Sequence, residues 1–95
     1  MNNKDFGIFE KEARAAGFDE VLERNWPPNT QLAVHSHPFD ASAVIVQGEM
    51  WLSFEGVTRH LRSGDTFDLP RGTTHEERYG DEGAKYWVAR RSAGL

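Results

Sequence analysis

Cysteine is absent from all 95 residues. That excludes disulfides and thiolate metal sites, and leaves any metal site to nitrogen and oxygen ligands. No apolar run approaches the ~18 residues a membrane helix requires. The opening "MNNKDFGIFEKEAR" is polar and charged and lacks the apolar segment of a secretory signal, so the expected location is the cytoplasm and no membrane partner is expected. Positive charge is also short: 11 Lys and Arg against 15 Asp and Glu give a net charge of −4. Nucleic acid is therefore not an expected partner, since phosphate binding wants a basic face, and the Arg90-Arg91 pair is too short to reverse the balance. Repeats, linkers and low-complexity tracts are missing as well.

What is present fits one small domain over residues 1–95, because a chain this short cannot hold two cores. Residues 8–16, "IFEKEARAA", carry strong helix formers, a Glu10/Arg14 pair at i,i+4 and Gly17 as a stop, which predicts a helix within residues 1–17. From residue 18 to 91 the pattern is that of strands. "DEVLERNW" reads as a strand broken by "WPPNT"; "TQLAVHSH" alternates, with Leu32, Val34 and Ser36 opposite Ala33, His35 and His37. "ASAVIVQ" and "EMWLSF" flank Gly48, and Glu55-Gly56 is a hairpin turn into "VTRHLR". Gly64-Asp65 is a further turn, "TFDL" a short strand, and Leu69-Pro70-Arg71-Gly72 suits a type I turn. "TTHEERY" and "KYWVAR" are predicted as the last strands, separated by "GDEG". Short strands at close, even spacing predict an all-β sandwich or small barrel, closed on itself to hide its edges.

Histidines supply the chemistry. His35 and His37 are two apart, so in a strand they share a face. His75 begins another strand-like run, and His60 sits between Arg59 and Leu61 with no partner at metal-like spacing. An isolated His-x-His pair is most simply a solvated strand face. The alternative is a nitrogen and oxygen site suited to Fe, Mn, Ni, Co, Cu or Zn.

The surrounding punctuation resembles the cupin superfamily. That family's first motif is Gly, five residues, His-x-His, three or four residues, Glu, six residues, Gly. Its second is Gly, five residues, Pro-x-Gly, two residues, His, three residues, Asn. Here His35, His37 and Gly48 fall on the first motif, and Gly64, Pro70, Gly72 and His75 fall on the second. The resemblance covers residues 29–79 and implies a small single-domain cupin of the conserved-barrel type, a double-stranded β-helix or jelly roll behind a short N-terminal helix. Three positions depart from the pattern. Asn29 stands for the first Gly, a mild change because Asn tolerates φ > 0. Tyr79 replaces the closing Asn, and Ala41 occupies the glutamate position.

The resemblance implies one divalent metal held by His35, His37 and His75, with the usual carboxylate missing. Three imidazoles still make a competent site. Asp40, one residue off register, and Glu77, on the face of His75, are candidate substitutes. Glu77 and Tyr79 are candidate catalytic residues, Glu77 as ligand, proton shuttle or hydrogen-bond partner, against simpler readings as a surface carboxylate and a core phenol. Phe39, Trp51, Phe54, Phe67 and Trp87 are expected to fill the barrel, unless Trp51 and Trp87 cover a dimer interface. The expected function is a metal-binding barrel that acts on or senses a small chelating metabolite. Alternatives are a metal-dependent dioxygenase or isomerase acting on a diol, diketone or thiol acid, and a non-catalytic small-molecule binding barrel. A homodimer is expected, because a 95-residue barrel is small and "DEVLERNW" and "KYWVAR" would offer edges.

Overall fold

The computed structural model describes residues 5–92, so residues 1–4 of the expected helical segment lie outside the described residues. Helix α1 spans Phe6–Ala15. The Asp5 carboxylate caps it, accepting the Ile8 N–H at 2.8 Å and so satisfying one of the first turn's orphan donors. Gly17 ends it with φ at +98°. One face lays Phe6 and Phe9 against Trp87, at centroid distances of 5.7 and 5.9 Å. Trp87 is thus covered by the chain's own helix and neither fills the barrel nor awaits a partner.

Six strands follow: β1 Glu20–Trp26, β2 Gln31–His35, β3 Asp40–Phe54, β4 Val57–Arg62, β5 Thr66–Leu69 and β6 His75–Arg91. The expected breaks at Gly48 and "GDEG" are not breaks. β3 and β6 run through them as strands of 15 and 17 residues, paired antiparallel from Asp40↔Arg91 to Ser53↔Glu76. At ~3.3 Å per residue a straight strand of that length would span ~55 Å, yet the longest dimension is 33 Å. The ribbon has to fold over. It does so at register shifts between Ile45 and Gln47 and between Gly48 and Met50, the usual device for bending a paired strand.

On one side of the bend the ribbon is flanked by β1 and β5, on the other by β2 and β4. The two halves face each other across one core that includes Ile45, Phe67 and Tyr86 from the first and Met50, Leu52, Leu61 and Tyr79 from the second. This is the all-β fold expected, but strand pairing does not close it: among the described residues β1, β2, β4 and β5 are each paired on one side only. Phe67 lies in the core and Phe39 and Phe54 pack against it. "KYWVAR" is not an edge, because β6 is paired on both sides there, with β1 and β3.

Turn chemistry is local. Glu55 and Gly56 both have positive φ, +54° and +78°, as a two-residue type I′ hairpin demands. The proline turn sits one residue later than expected: Thr73 N–H donates to Pro70 O at 3.1 Å, and Gly72 has φ of +79°, so glycine takes the third place, where a type II turn needs it. The Asp40 carboxylate ties this turn to the ribbon end, accepting from Arg71 N–H at 2.8 Å and approaching the Arg71 and Arg91 guanidiniums at 3.1 and 3.3 Å.

Two predictions follow from these contacts. A Cβ on Gly48 would lie 2.1 Å from Gly83 O, and Gly48 holds φ of +75°. Gly48→Ala is therefore expected to lower unfolding stability by ~2 kcal/mol or more; a denaturant midpoint equal to the parent's would refute the closely crossed bend. The second concerns pH. Hydrogen bonds from Arg71 hold the Asp40 pKa down, from 3.8 to about 2. Stability from this network is complete above the unfolded value and is lost as pH falls through the folded one. Asp40→Asn should flatten the acid loss between pH 3.8 and about 2, measured as melting temperature against pH.

Candidate metal centre

A β-bulge aims the first histidine. Leu32 pairs with Glu77 and His35 with His75, so three steps on β2 match two on β6. Without the extra residue, the face holding Leu32 would exclude His35. With it, Leu32 packs on the core while His35 also turns inward, and Val34 is left 62% exposed. The strict alternation expected for this strand does not hold, for that reason. His37 lies past the end of β2, and the Gly72 N–H bond to His37 O at 2.8 Å ties its backbone to the proline turn. Asn29, at the head of the motif, has φ of +60°, as its glycine position suggested.

The three rings meet. Centroids of His35 and His75 lie 4.3 Å apart, of His35 and His37 4.9 Å, and of His37 and His75 5.2 Å. Glu77 joins them: its Oε2 is 3.3 Å from His35 Nε2 and 3.2 Å from His75 Nε2. One ligand atom from each of His35, His37, His75 and Glu77 lies within 4.8 Å of the others.

Protonation follows from the outer partners. His35 Nδ1 is 2.6 Å from Ala33 O and His75 Nδ1 is 2.9 Å from Thr73 O. A carbonyl only accepts, so each Nδ1 carries a proton, and in the neutral ring each Nε2 presents a lone pair. Burial, then the neighbouring His35 and His75, holds the His37 pKa below the ordinary histidine value. Lone pairs of two imidazoles thus converge on a carboxylate oxygen, an arrangement that repels itself unless a cation lies among them. Among the described residues neither Nε2 makes a hydrogen bond to Glu77, and that of His75 is buried with no hydrogen-bond partner at all. The donor set, with each fixed imidazole held by a backbone carbonyl, suits a divalent metal ion.

Behind Glu77 lies a phenol. Tyr79 is fully buried and donates its hydroxyl to Glu77 Oε1, which leaves Oε2 toward the histidines. Burial, with Tyr86 and Glu77 adding to it, pushes the Tyr79 pKa far above the ordinary tyrosine range. Burial also raises Tyr86, whose oxygen accepts from Trp26 Nε1 at 3.3 Å. Trp26 in turn stacks on Tyr79 at 5.4 Å.

The other candidates fall outside. Ala41 faces the core and brings no ligand. Asp40 is committed to Arg71 and Arg91. His60 is 2.6 Å from Glu49 and stacks on Trp51 at 4.4 Å. Trp51, with Arg78 over its ring, lies on the outer face of the ribbon and not in the barrel. Arg90, read only as part of a charge pair, faces inward. Alternation with Ala84, Tyr86 and Val88 could have found it, but Trp87 and Ala89 between them are also apolar and hide the period.

No family model and no curated protein matches the chain. Solved structures do resemble it. KdgF from Halomonas sp. superposes with a TM-score of 0.67 and 22% identity, over 74% of this chain and 64% of that one. An RmlC-like cupin from Shewanella frigidimarina gives 0.66 and 20%, over 78% and 67%. A chain from the DMSP lyase structures RdDddP and RnDddQII gives 0.70 and 22%, over 79% and 39%. The chain spans about two thirds or less of these neighbours' lengths. At such identities the likeness concerns the fold, and it agrees with the motif register and the inward histidine cluster: this chain has the cupin fold, as a small double-stranded β-helix.

Proposed function

We propose that this chain is a metal-binding cupin barrel that holds one divalent ion through His35, His37, His75 and Glu77 and takes a small chelating metabolite beside it, in the cytoplasm. The observation that carries this reading is the buried, unpartnered Nε2 of His75 beside the Glu77 carboxylate. An imidazole nitrogen left in that state costs ~1–3 kcal/mol, and metal ligation removes the cost. A divalent ion bound there would lend Lewis acidity to a chelated oxygen. Each residue has a definable part. Ala33 and Thr73 carbonyls fix the rings, Tyr79 orients Glu77, Leu32 and Leu52 flank Glu77 across the strand pairs, and Phe39 stacks on His37.

The catalytic form of this reading is a metal-dependent dioxygenase or isomerase acting on a small diol, diketone or thiol acid. It is supported by Glu77, a carboxylate at the histidine cluster that the Tyr79 hydroxyl holds in place next to where a chelated substrate would sit. Enzymes on small molecules occur among the fold neighbours, the DMSP lyases by name. Function does not follow from fold, so turnover is a question for the loaded protein.

Elemental analysis and chelator competition test the proposal. The parent should carry about one metal per chain, as a single cluster implies. His75→Ala should abolish uptake, and Glu77→Gln should lose metal as severely as a histidine replacement. Tyr79→Phe, which frees Glu77 without removing it, should weaken retention ~10–100-fold. His60→Ala should change nothing. A parent that binds no divalent metal, or a Glu77→Gln variant that binds like the parent, would overturn the four-residue site.

A two-fold dimer is part of the same proposal, now resting on β1, β2, β4 and β5, each paired on one side only among the described residues. Light scattering at micromolar concentration should report twice the chain mass; a monomer would refute it.

A further inference from the structure

Arg90 is an inward charge that the metal reading leaves unused. Ala84, Tyr86 and Val88 line the core, and Arg90 continues their face to the end of β6. Across the strand pair it meets Ala41, a methyl group at the barrel's inner surface. Tyr79 and Tyr86 both touch Trp26 and stand equally far from the middle of the ribbon's bend. His75 and Arg90 are each four residues further out along β6 from those tyrosines, so the two halves bring them to the same end of the barrel.

Contacts at that end bear this out. The Arg90 guanidinium lies 4.7 Å over the Phe39 ring, and Phe39 stacks on His37 at 4.8 Å and 14°. Glu20, an exposed carboxylate directly across from Arg90 on β1, takes only Nη1, at 3.3 Å. Nε is buried and, among the described residues, has no hydrogen-bond partner. A buried guanidinium N–H without an acceptor is costly, and the acceptor that suits the planar fork is a carboxylate. Charge points the same way. One carboxylate against a divalent ion and a guanidinium leaves this end positive even after Glu20 is counted.

We infer that Arg90 is an anion subsite beside the metal pocket, and that the ligand class is a small carboxylate carrying a second oxygen able to reach the metal. The inference rests on the proposed metal reading. The carboxylate pairs with Arg90 over Phe39, and the second oxygen coordinates the metal.

Cobalt(II)-loaded protein, titrated with lactate and with lactamide and followed by its visible absorption, tests this. The two probes differ only in the charged group. The parent should prefer lactate, and rising salt should weaken lactate but not lactamide. Arg90→Gln should weaken lactate about 10-fold or more and spare lactamide, while Arg90→Lys, which keeps the charge without the fork, should retain part of the preference. Equal lactate affinity in parent and Arg90→Gln, or a parent that binds both probes alike, overturns the inference and leaves the metal site standing. A parent that takes up no cobalt overturns both. Should Arg90→Gln lose its folded circular dichroism, the salt dependence of the parent and the Arg90→Lys titration decide the matter.

Discussion

The β3–β6 ribbon is longer than the domain that contains it, and everything else depends on how it folds over. Two crowded positions make the bend. Gly48 approaches Gly83 O, and Gly83, with φ of +70°, approaches Trp26 O, each more closely than a Cβ would allow. Because β6 passes through the bend, one strand contributes to both faces of the barrel. Its first half brings His75, Glu77 and Tyr79; its second half returns with Tyr86, Val88 and Arg90. A cluster of polar side chains thereby gathers inside a core otherwise built from Ile45, Met50, Leu52, Leu61 and Phe67.

Such a cluster is expensive in an apolar setting, and the way it is satisfied is informative. Two histidine Nδ1 atoms meet backbone carbonyls, and Glu77 Oε1 meets a phenol that burial keeps protonated. The groups left over are acceptors directed at one another, together with one guanidinium N–H at the barrel's end. The imbalance has a sign on each side. The histidine and carboxylate atoms want a cation, and the Arg90 Nε wants an anion. A metal ion with a bound carboxylate would satisfy both.

The outer surface follows different physics. Asp40 joins the proline turn to the ribbon end through Arg71 and Arg91, and Glu49, His60, Trp51 and Arg78 make a ladder of hydrogen bonding and ring stacking across β3, β4 and β6. These contacts fix strand register without entering the barrel. They also separate two residues that look alike in the sequence. His60 is neutral to the site because its neighbour in the alternation, Leu61, is the one that points inward.

Much of this was legible beforehand. The all-β class, the short helix with its Gly17 stop and the Glu55-Gly56 hairpin follow from local signals, because turns, caps and alternation are set by residues a few positions apart; the meeting of His35, His37 and His75 was implied by the resemblance to the two cupin motifs. The positive φ of Asn29 was readable from the motif glycine whose place it takes. What needed the tertiary structure is non-local. Whether Gly48 and "GDEG" end strands or bend them depends on a partner many residues away, and so does the bulge that turns His35 onto the face of Leu32. The choice of Glu77 over Asp40 as the carboxylate beside the histidines was open in the sequence. Both stand near the motif, and only pairing with Arg71 and Arg91 removes Asp40, while burial against Tyr79 commits Glu77. Arg90 was hidden among neighbours apolar on both faces, since one face packs the core and the other lies beneath α1. Local sequence determined which residues could serve a metal; the folding of the long ribbon decided which of them meet, and on which side a positive charge faces them.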